Sequence, residues 1–283
     1  IMLLSGNVAK KNLGTNAFQE VNSTLLTQGC TKWNYCVENI KELPSALDNA
    51  YNIAMEGKKG PVHVDICSDV FSSPLVFEDT FVKKTIMNKN DFENNIDWNA
   101  FKKVQNKLIN SKKPVFILGK GAFPAMSELR SFVKKYNIPT ATTLHAVGII
   151  NENEPYSLGM VGMHGTPYAN KIIQEADFIV GIGYRFDDRT IGNPSSYGIQ
   201  AKKQFGIVHI DICNENRNIV KKVVNPSISL QMDCKWFMKH LASKVDMPKK
   251  ETSNWIKEKK KPHKKSSIRS AEKKIQKKKT KKI

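Results

Sequence analysis

The sequence predicts an α/β chain: a doubly wound parallel sheet preceded by part of a second α/β domain. Three observations carry that expectation. From Trp98 onward, short apolar runs alternate with amphipathic stretches of helical period, the order of a parallel sheet whose crossovers are helices. Four of those runs end in glycine, a hydroxyl, arginine or aspartate, which is how buried strands look where they emerge beside a polar ligand. In open α/β sheets, ligands lie just beyond the carboxyl ends of the strands. Upstream, a further helix and strand sit on the far side of a stretch without periodicity, and 283 residues are enough for two cores.

The second unit reads in order. Residues 98–109 form an amphipathic helix with Phe101, Val104 and Leu108 on one side, and 114–118 a buried strand followed by Gly119-Lys120-Gly121. Met126, Leu129, Val133 and Tyr136 set the face of a helix over 125–136, and 139–143 is the next strand. Residues 167–175 are helical, 178–182 a strand, 207–211 another and 227–230 a short one before a helix near 235–243. The ligand-type residues fall at strand ends: Gly119 and Gly121, then Thr143 and Leu144, then Gly183 to Arg189, then Asp211. Glycines there would let backbone N–H groups approach a phosphate, and Arg185 and Arg189 could fork onto phosphate or carboxylate oxygens. Gly-Lys-Gly alone lacks the third glycine of a dinucleotide fingerprint, so convergence of four strand ends outweighs any single motif. Asp211 has two readings, a cap or a contact to a ribose hydroxyl. His164, between two glycines, is a turn residue or a ligand contact. His63 and His209 alternate with apolar neighbours and read as structural.

The first unit opens with an apolar strand over 1–6, whose composition is that of a strand interior; the chain is therefore expected to start inside a core element, as a truncation. A polar loop over 14–20, a helix over 44–56 with Pro44 in its first turn, and a strand over 62–66 follow. Residues 77–96, rich in Asn, Asp and Lys, read as a linker.

The net charge of +19 suggests a nucleic-acid partner until it is located. Residues 247–283 hold 16 Lys and Arg against 3 Asp and Glu, so the excess belongs to a basic segment, 246–283, expected to be disordered. A nucleic-acid partner is not expected for the folded body. Five scattered cysteines without ligand spacing point to reduced thiols and no metal site. No apolar run is long enough for a transmembrane helix, and no signal peptide is expected.

Five stretches resemble the large, catalytic subunit of acetolactate synthase (acetohydroxyacid synthase), a family of thiamine-diphosphate enzymes. They are G-T-N-A-F-Q-E (14–20), G-P-V-H-V-D (60–65), G-M-H-G-T-x-Y-A-N (162–170), G-x-R-F-D-D-R (183–189) and V-H-I-D-I (208–212). The resemblance covers about residues 1–245. It implies that 1–76 are the C-terminal part of a thiamine pyrimidine-binding domain and that 97–245 are the central FAD-binding domain. The implied activity joins two 2-oxo acids (two pyruvates, or pyruvate and 2-oxobutyrate) with loss of CO2, in branched-chain amino-acid biosynthesis. The implied cofactors are FAD, thiamine diphosphate and Mg²⁺. The implied assembly is a homodimer with a regulatory subunit, cytoplasmic, or organellar in a eukaryote.

Position by position, the resemblance places Gly119, Gly121, Thr143, Leu144, Gly162, Met163, His164, Gly183, Arg185, Phe186, Asp187, Asp188, Asp211, Ile212 and Asp233 at FAD contacts. Phe18 and Gln19 match positions near the thiamine and the substrate channel. Arg189 matches an arginine that orients the carboxylate of the second substrate. Lys58 stands where the family has a flavin-contacting arginine, Cys67-Ser68 where it has Pro-Lys, Ala9 where it has Pro, and Met232-Asp233 where it has Gly-Asp. The family's catalytic glutamate and its magnesium and diphosphate motif match nothing within the 283 residues, so these residues by themselves are not expected to make acetolactate. A non-catalytic FAD-binding or assembly remnant of the family, and a basic-tailed nucleic-acid-binding protein, are the alternatives.

Overall fold

The computed structural model describes residues 1–75 and 96–260. The expected linker over 77–96 therefore lies almost wholly outside the described residues, as does the basic stretch 261–283. The chain divides into two compact units, Ile1–Ile96 and Asp97–Ile283.

The first unit contains β1 (Met2–Asn7), α1 (Ser23–Thr27), β2 (Trp33–Val37), α2 (Leu43–Met55), β3 (Val62–Cys67) and a short α3 (Ser68–Phe71). Among the described residues its three strands are parallel in the order β1-β3-β2. α2 forms where expected, with Pro44 in its first turn. It buries Ala46, Ala50 and Ala54 against Val62, Val64 and Ile66 of β3. The opposite face is polar. Asp65, 1% exposed, accepts from Ser5 Oγ (2.5 Å), Asn7 Nδ2 (2.6 Å) and Ser23 Oγ (2.5 Å), and His63 lies between Ser5 Oγ (2.7 Å) and Thr27 Oγ1 (2.8 Å). β1 differs from expectation. Leu3 and Leu4 are 48% and 53% exposed, because β1 is an edge strand whose described partner is β3 alone.

The second unit contains α4 (Trp98–Asn110), β4 (Pro114–Leu118), α5 (Met126–Tyr136), β5 (Thr140–Thr142), β6 (Ser157–Met160), α6 (Pro167–Glu175) and β7 (Phe178–Ile182). There follow α7 (Asp188–Ile191), α8 (Ile199–Lys203), β8 (Gly206–Asp211), α9 (Asn214–Val223), β9 (Ile228–Gln231), α10 (Cys234–Lys244) and α11 (Ser253–Lys260). Among the described residues its six strands are all parallel, in the order β6-β5-β4-β7-β8-β9. The chain winds outward from β4 in one direction and from β7 in the other, so their shared border is the point where strand order reverses. Val115, Ile117, Ile179 and Ile207 face α6, α8, α9 and α11, which contribute Ile172, Ala201, Val220 and Trp255. Phe116 points the other way and stacks on Phe132 of α5 at 6.1 Å, while Phe101 of α4 meets Phe237 of α10 edge-on at 5.7 Å. Burial on both faces is why these strands read as unbroken apolar runs.

The expectation that 246–283 is one unpacked basic segment fails for 246–260. Lys250 is 8% exposed, and its ammonium donates to the carbonyls of Ile109 (2.9 Å) and Ser111 (2.7 Å) at the end of α4. Such terminal carbonyls have no partner within their own helix. Tyr136 O and Asn137 bond the same stretch, and Trp255 Nε1 donates to Glu175 (2.9 Å). Lys259 pairs with Glu175 at 2.7 Å, and Lys260 donates to Ser157 O. Composition missed this because a lysine need not be solvated when helix ends offer it carbonyls. Ser111, Asn137, Ser157 and Glu175 all lie before or at the starts of strands, so the segment runs along the amino edge of the sheet, away from the strand tips.

Candidate functional site

The border of β4 and β7 brings Gly119 and Gly121 against Gly183. A Cβ at Gly119 would stand 2.0 Å from Gly183 O, and one at Gly183 would stand 2.4 Å from the Gly121 carbonyl carbon. Backbone lies on backbone here, and only glycine fits. The three amides expected to reach a phosphate are already committed. Gly119 N–H donates to Ile182 O (3.0 Å), Gly121 N–H to Gly183 O (3.2 Å) and Gly183 N–H to Ile210 O (2.8 Å). These glycines close the floor of the crevice and offer no free donors of their own.

The loops after β6 and β7 also meet, although β5 and β4 lie between those strands. Met163 N–H donates to Arg189 O (2.8 Å), and a Cβ on Gly162 (φ 104°) would fall 2.6 Å from that same oxygen. Asn170 clasps the turn: its amide accepts from Gly162 N–H and donates to Gly162 O, both at 2.9 Å. Thr166 caps α6 by accepting from Ala169 N–H. The turn thereby presents Met163 (64% exposed) and His164 outward. Asn170 lay inside the motif but not among the expected site residues; its polar side chain eight positions past a glycine was the available signal.

The stretch from Arg185 to Arg189 divides its labour. Arg185 is exposed, and its guanidinium has no protein partner among the described residues. Phe186 turns inward. It sits at φ 51°, 1% exposed, with its ring over Gly181 and 4.1 Å from Tyr184. That conformation is costly for a bulky residue, and a buried aromatic ring is what offsets it. Expected as a ligand contact, Phe186 has its ring in the core. Asp187 caps α7, accepting from Thr190 N–H, and Tyr184 Oη donates to Thr190 Oγ1 (2.8 Å). Asp188 and Arg189 are exposed, 3.8 Å apart.

Asp211, 6% exposed, ends β8. It accepts from Cys213 N–H (2.8 Å) and Asn216 Nδ2 (3.3 Å). His209, fully buried one pleat below, has Nε2 3.7 Å from the carboxylate, an electrostatic contact beyond hydrogen-bond length. Burial pushes the Asp211 carboxyl up, but His209, the Cys213 amide and Asn216 more than offset this and hold it below the ordinary aspartate value. Thr143 is buried at the end of β5, its N–H on Leu118 O (2.9 Å), while Leu144 beside it is 67% exposed. Ile212 is half-buried. Asp233 caps α10 through Trp236 N–H (2.9 Å), which is a structural duty. The second unit thus leaves Leu144, Met163, His164, Arg185, Asp188, Arg189 and Ile212 open at strand ends, with Asp211 largely engaged.

Phe18, Gln19 and Lys58 belong to the first unit. Phe18 is 89% exposed, Gln19 is exposed at φ 65°, and Lys58 is exposed. Among the described residues, no group of three or more His, Cys, Asp or Glu side chains could hold a metal ion, and no helix is long and apolar enough to cross a membrane.

Residues 101–241 match the family of the thiamine pyrophosphate enzyme central domain. The chain is 36% identical over 248 residues to the mitochondrial acetolactate synthase of Schizosaccharomyces pombe, covering 82% of this chain and 36% of that protein. It is 36% identical over 236 residues to the acetolactate synthase isozyme 1 large subunit of Escherichia coli, covering 82% and 40%. It is 32% identical over 259 residues to the acetolactate synthase large subunit of Lactococcus lactis, covering 91% and 43%. The chain therefore spans well under half the length of these relatives. A parallel sheet wound outward from β4 and β7, with the family's central domain over most of its second unit, leads to one conclusion: the chain belongs to the thiamine pyrophosphate enzymes, within the acetolactate synthase family.

Proposed function

We propose that the second unit holds FAD across the strand tips on either side of β4 and β7. It does so as part of an acetolactate synthase that joins two 2-oxo acids, such as pyruvate with pyruvate or with 2-oxobutyrate, with loss of CO2. The supporting observation is the reversal of strand order at β4 and β7, which opens a crevice where dinucleotides sit in doubly wound sheets. The side chains left open there have the right chemistry. Arg185 is a guanidinium without a partner among the described residues, suited to a diphosphate. Leu144 and Met163 are exposed apolar groups that a flavin ring could cover. Asp211, at the tip of β8 on the other side of the β4–β7 border, is an ionised carboxylate that could accept from a ribose hydroxyl. The glycine amides take no part, since their bonds are internal. Bound flavin would contribute the cover of the apolar tips, while the protein's residues bind and orient it.

In the same reading, Arg189 holds the carboxylate of a 2-oxo acid, and Phe18 and Gln19 lie on the substrate side of the thiamine diphosphate. Lys58 supplies charge without the planar fork of an arginine. The residues named in this reading cover only part of a thiamine diphosphate site, and none of them is assigned to magnesium. The assembly is a homodimer with a regulatory subunit, in the cytoplasm or an organelle.

The test is titration of the purified chain with FAD, followed by flavin fluorescence and by a retained absorbance band near about 450 nm. Replacing a charge-assisted phosphate contact costs about 1.5–3 kcal/mol, so Arg185→Ala should weaken binding roughly 10- to 100-fold. Wild-type protein that retains no flavin, or an Arg185→Ala variant that binds as tightly, would overturn the assignment.

A further inference from the structure

Residues 14–20 adopt a shape that a chain does not hold unaided. Gly14 (φ 77°), Asn16 (φ 62°) and Gln19 (φ 65°) all lie in the left-handed region, where two of the three carry a Cβ penalty. Apolar packing does not hold the loop. Phe18 is 89% exposed, and downstream Val21, Leu25 and Leu26 are 49%, 65% and 72% exposed. Among the described residues, polar bonds fix the following segment to the sheet: Asn7 Nδ2 donates to Val21 O (3.1 Å), Ser23 Oγ to Asp65 (2.5 Å) and Asn34 Nδ2 to Thr24 O (2.9 Å), and Thr27 Oγ1 meets His63 Nδ1 (2.8 Å).

We propose that Glu20 is the positioning residue that ties the loop to this anchored end and so fixes the outward presentation of Phe18 and Gln19. One carboxylate oxygen accepts Gly14 N–H and the other accepts Ala17 N–H at 3.0 Å, while Glu20 N–H returns to Ala17 O (2.9 Å). A carboxylate suits this work because both oxygens accept; an amide of the same length offers only one acceptor. The cleft around the carboxylate is lined by Gly14, Thr15, Asn16, Val21 and Asn22, none of them charged. Any titration of the tie is therefore that of Glu20 itself. The Gly14 amide, foremost, holds its carboxyl below the ordinary value of 4.5. A lowered carboxyl stabilises the tie above 4.5 and loses it as pH falls through the lower, folded-state value. The functional consequence, though not the tie, rests on the reading of Phe18 and Gln19 as substrate-side residues.

Amide hydrogen exchange on the full chain tests it, read at Gly14 and Ala17 with Val64 of β3 as the internal reference. At neutral pH, Glu20→Ala should speed exchange at both amides roughly tenfold or more, and Glu20→Gln should do so at only one. Wild-type protection at both should fall away in acid, below 4.5, a step that Glu20→Gln lacks. If Glu20→Ala also loosens Val64, the Gln variant and the acid step decide. Unchanged exchange at Gly14 and Ala17 in the variants, or an acid step shared by Glu20→Gln, would overturn the proposal. Failure of the second unit to bind flavin would leave these readings untouched, so the two ideas fail separately.

Discussion

Replacing Gly119 by alanine tests the backbone-on-backbone floor of the crevice most directly. The new Cβ would stand 2.0 Å from Gly183 O, 2.6 Å from Tyr184 Cα and 2.7 Å from the Gly183 carbonyl carbon. Ordinary contact begins near 3.4 Å, so the two strand tips must part by more than an ångström. None of the three atoms is the end of a flexible side chain. That separation breaks or stretches Gly119 N–H to Ile182 O and Gly121 N–H to Gly183 O. Each such bond is worth about 0.5–1.5 kcal/mol net, and overpacking adds about 1–3 kcal/mol. We expect a loss of about 2–6 kcal/mol. Domains of this size shift about 2–4 °C per kcal/mol, so the melting temperature of the second unit should fall by roughly 4–24 °C. Gly121→Ala meets its nearest atom at 2.9 Å and should cost distinctly less. Gly29→Ala, with nothing within 4 Å, should shift the melt by no more than about 0.5 kcal/mol, as surface changes do. Circular-dichroism melts of the three variants give the order. A Gly119→Ala protein melting within a degree or two of wild type, or more stable than Gly121→Ala, would refute the close approach of the two tips.

Two further outcomes follow from the same geometry. Asn170→Asp removes the donor to Gly162 O and sets an anionic oxygen against that carbonyl. It should cost about 1–3 kcal/mol at neutral pH, and the loss should shrink as acid protonates the new carboxylate; a pH-independent difference in melts would count against the clasp. Burial lowers the Lys250 ammonium from its ordinary 10.5. A lowered lysine makes the folded state bind protons less readily than the unfolded one, so stability rises as pH climbs from the folded value toward 10.5. Denaturant midpoints should show that rise in wild type and not in Lys250→Met, and parallel curves would contradict the burial of Lys250.

The parts legible in the sequence were those governed by neighbours close along the chain. β4, β7 and β8 stood out because burial on both faces makes each an unbroken apolar run. α4, α5 and α6 stood out because one apolar stripe recurs at helical period. β6, Ser-Leu-Gly-Met, and β2, Trp-Asn-Tyr-Cys-Val, were not foreseen: both are edge strands, and an edge strand need not be apolar throughout. α9 was also missed, since Val220 is its one buried residue and its sequence is otherwise that of a polar loop. At the candidate site, the motifs located the strand tips correctly but could not say which way each side chain turns. Phe186 and Arg185 are adjacent and equally suggestive, yet a left-handed backbone sends one into the core and leaves the other in solvent.

Periodicity, glycine spacing and family motifs were sufficient for the parallel α/β class, the ends of the main strands and kinship with the acetolactate synthases, because each reflects short-range backbone geometry written in consecutive residues. Folding assigned the partners. It closed the amides of Gly119, Gly121 and Gly183 on carbonyls from neighbouring strands, turned Asp187 and Asp233 into helix caps, and drew Lys250 onto the end of α4. A hydrogen bond between groups far apart in the chain leaves no periodic trace. Whether a polar group is free for a ligand or already satisfied is therefore settled only once the strands lie side by side.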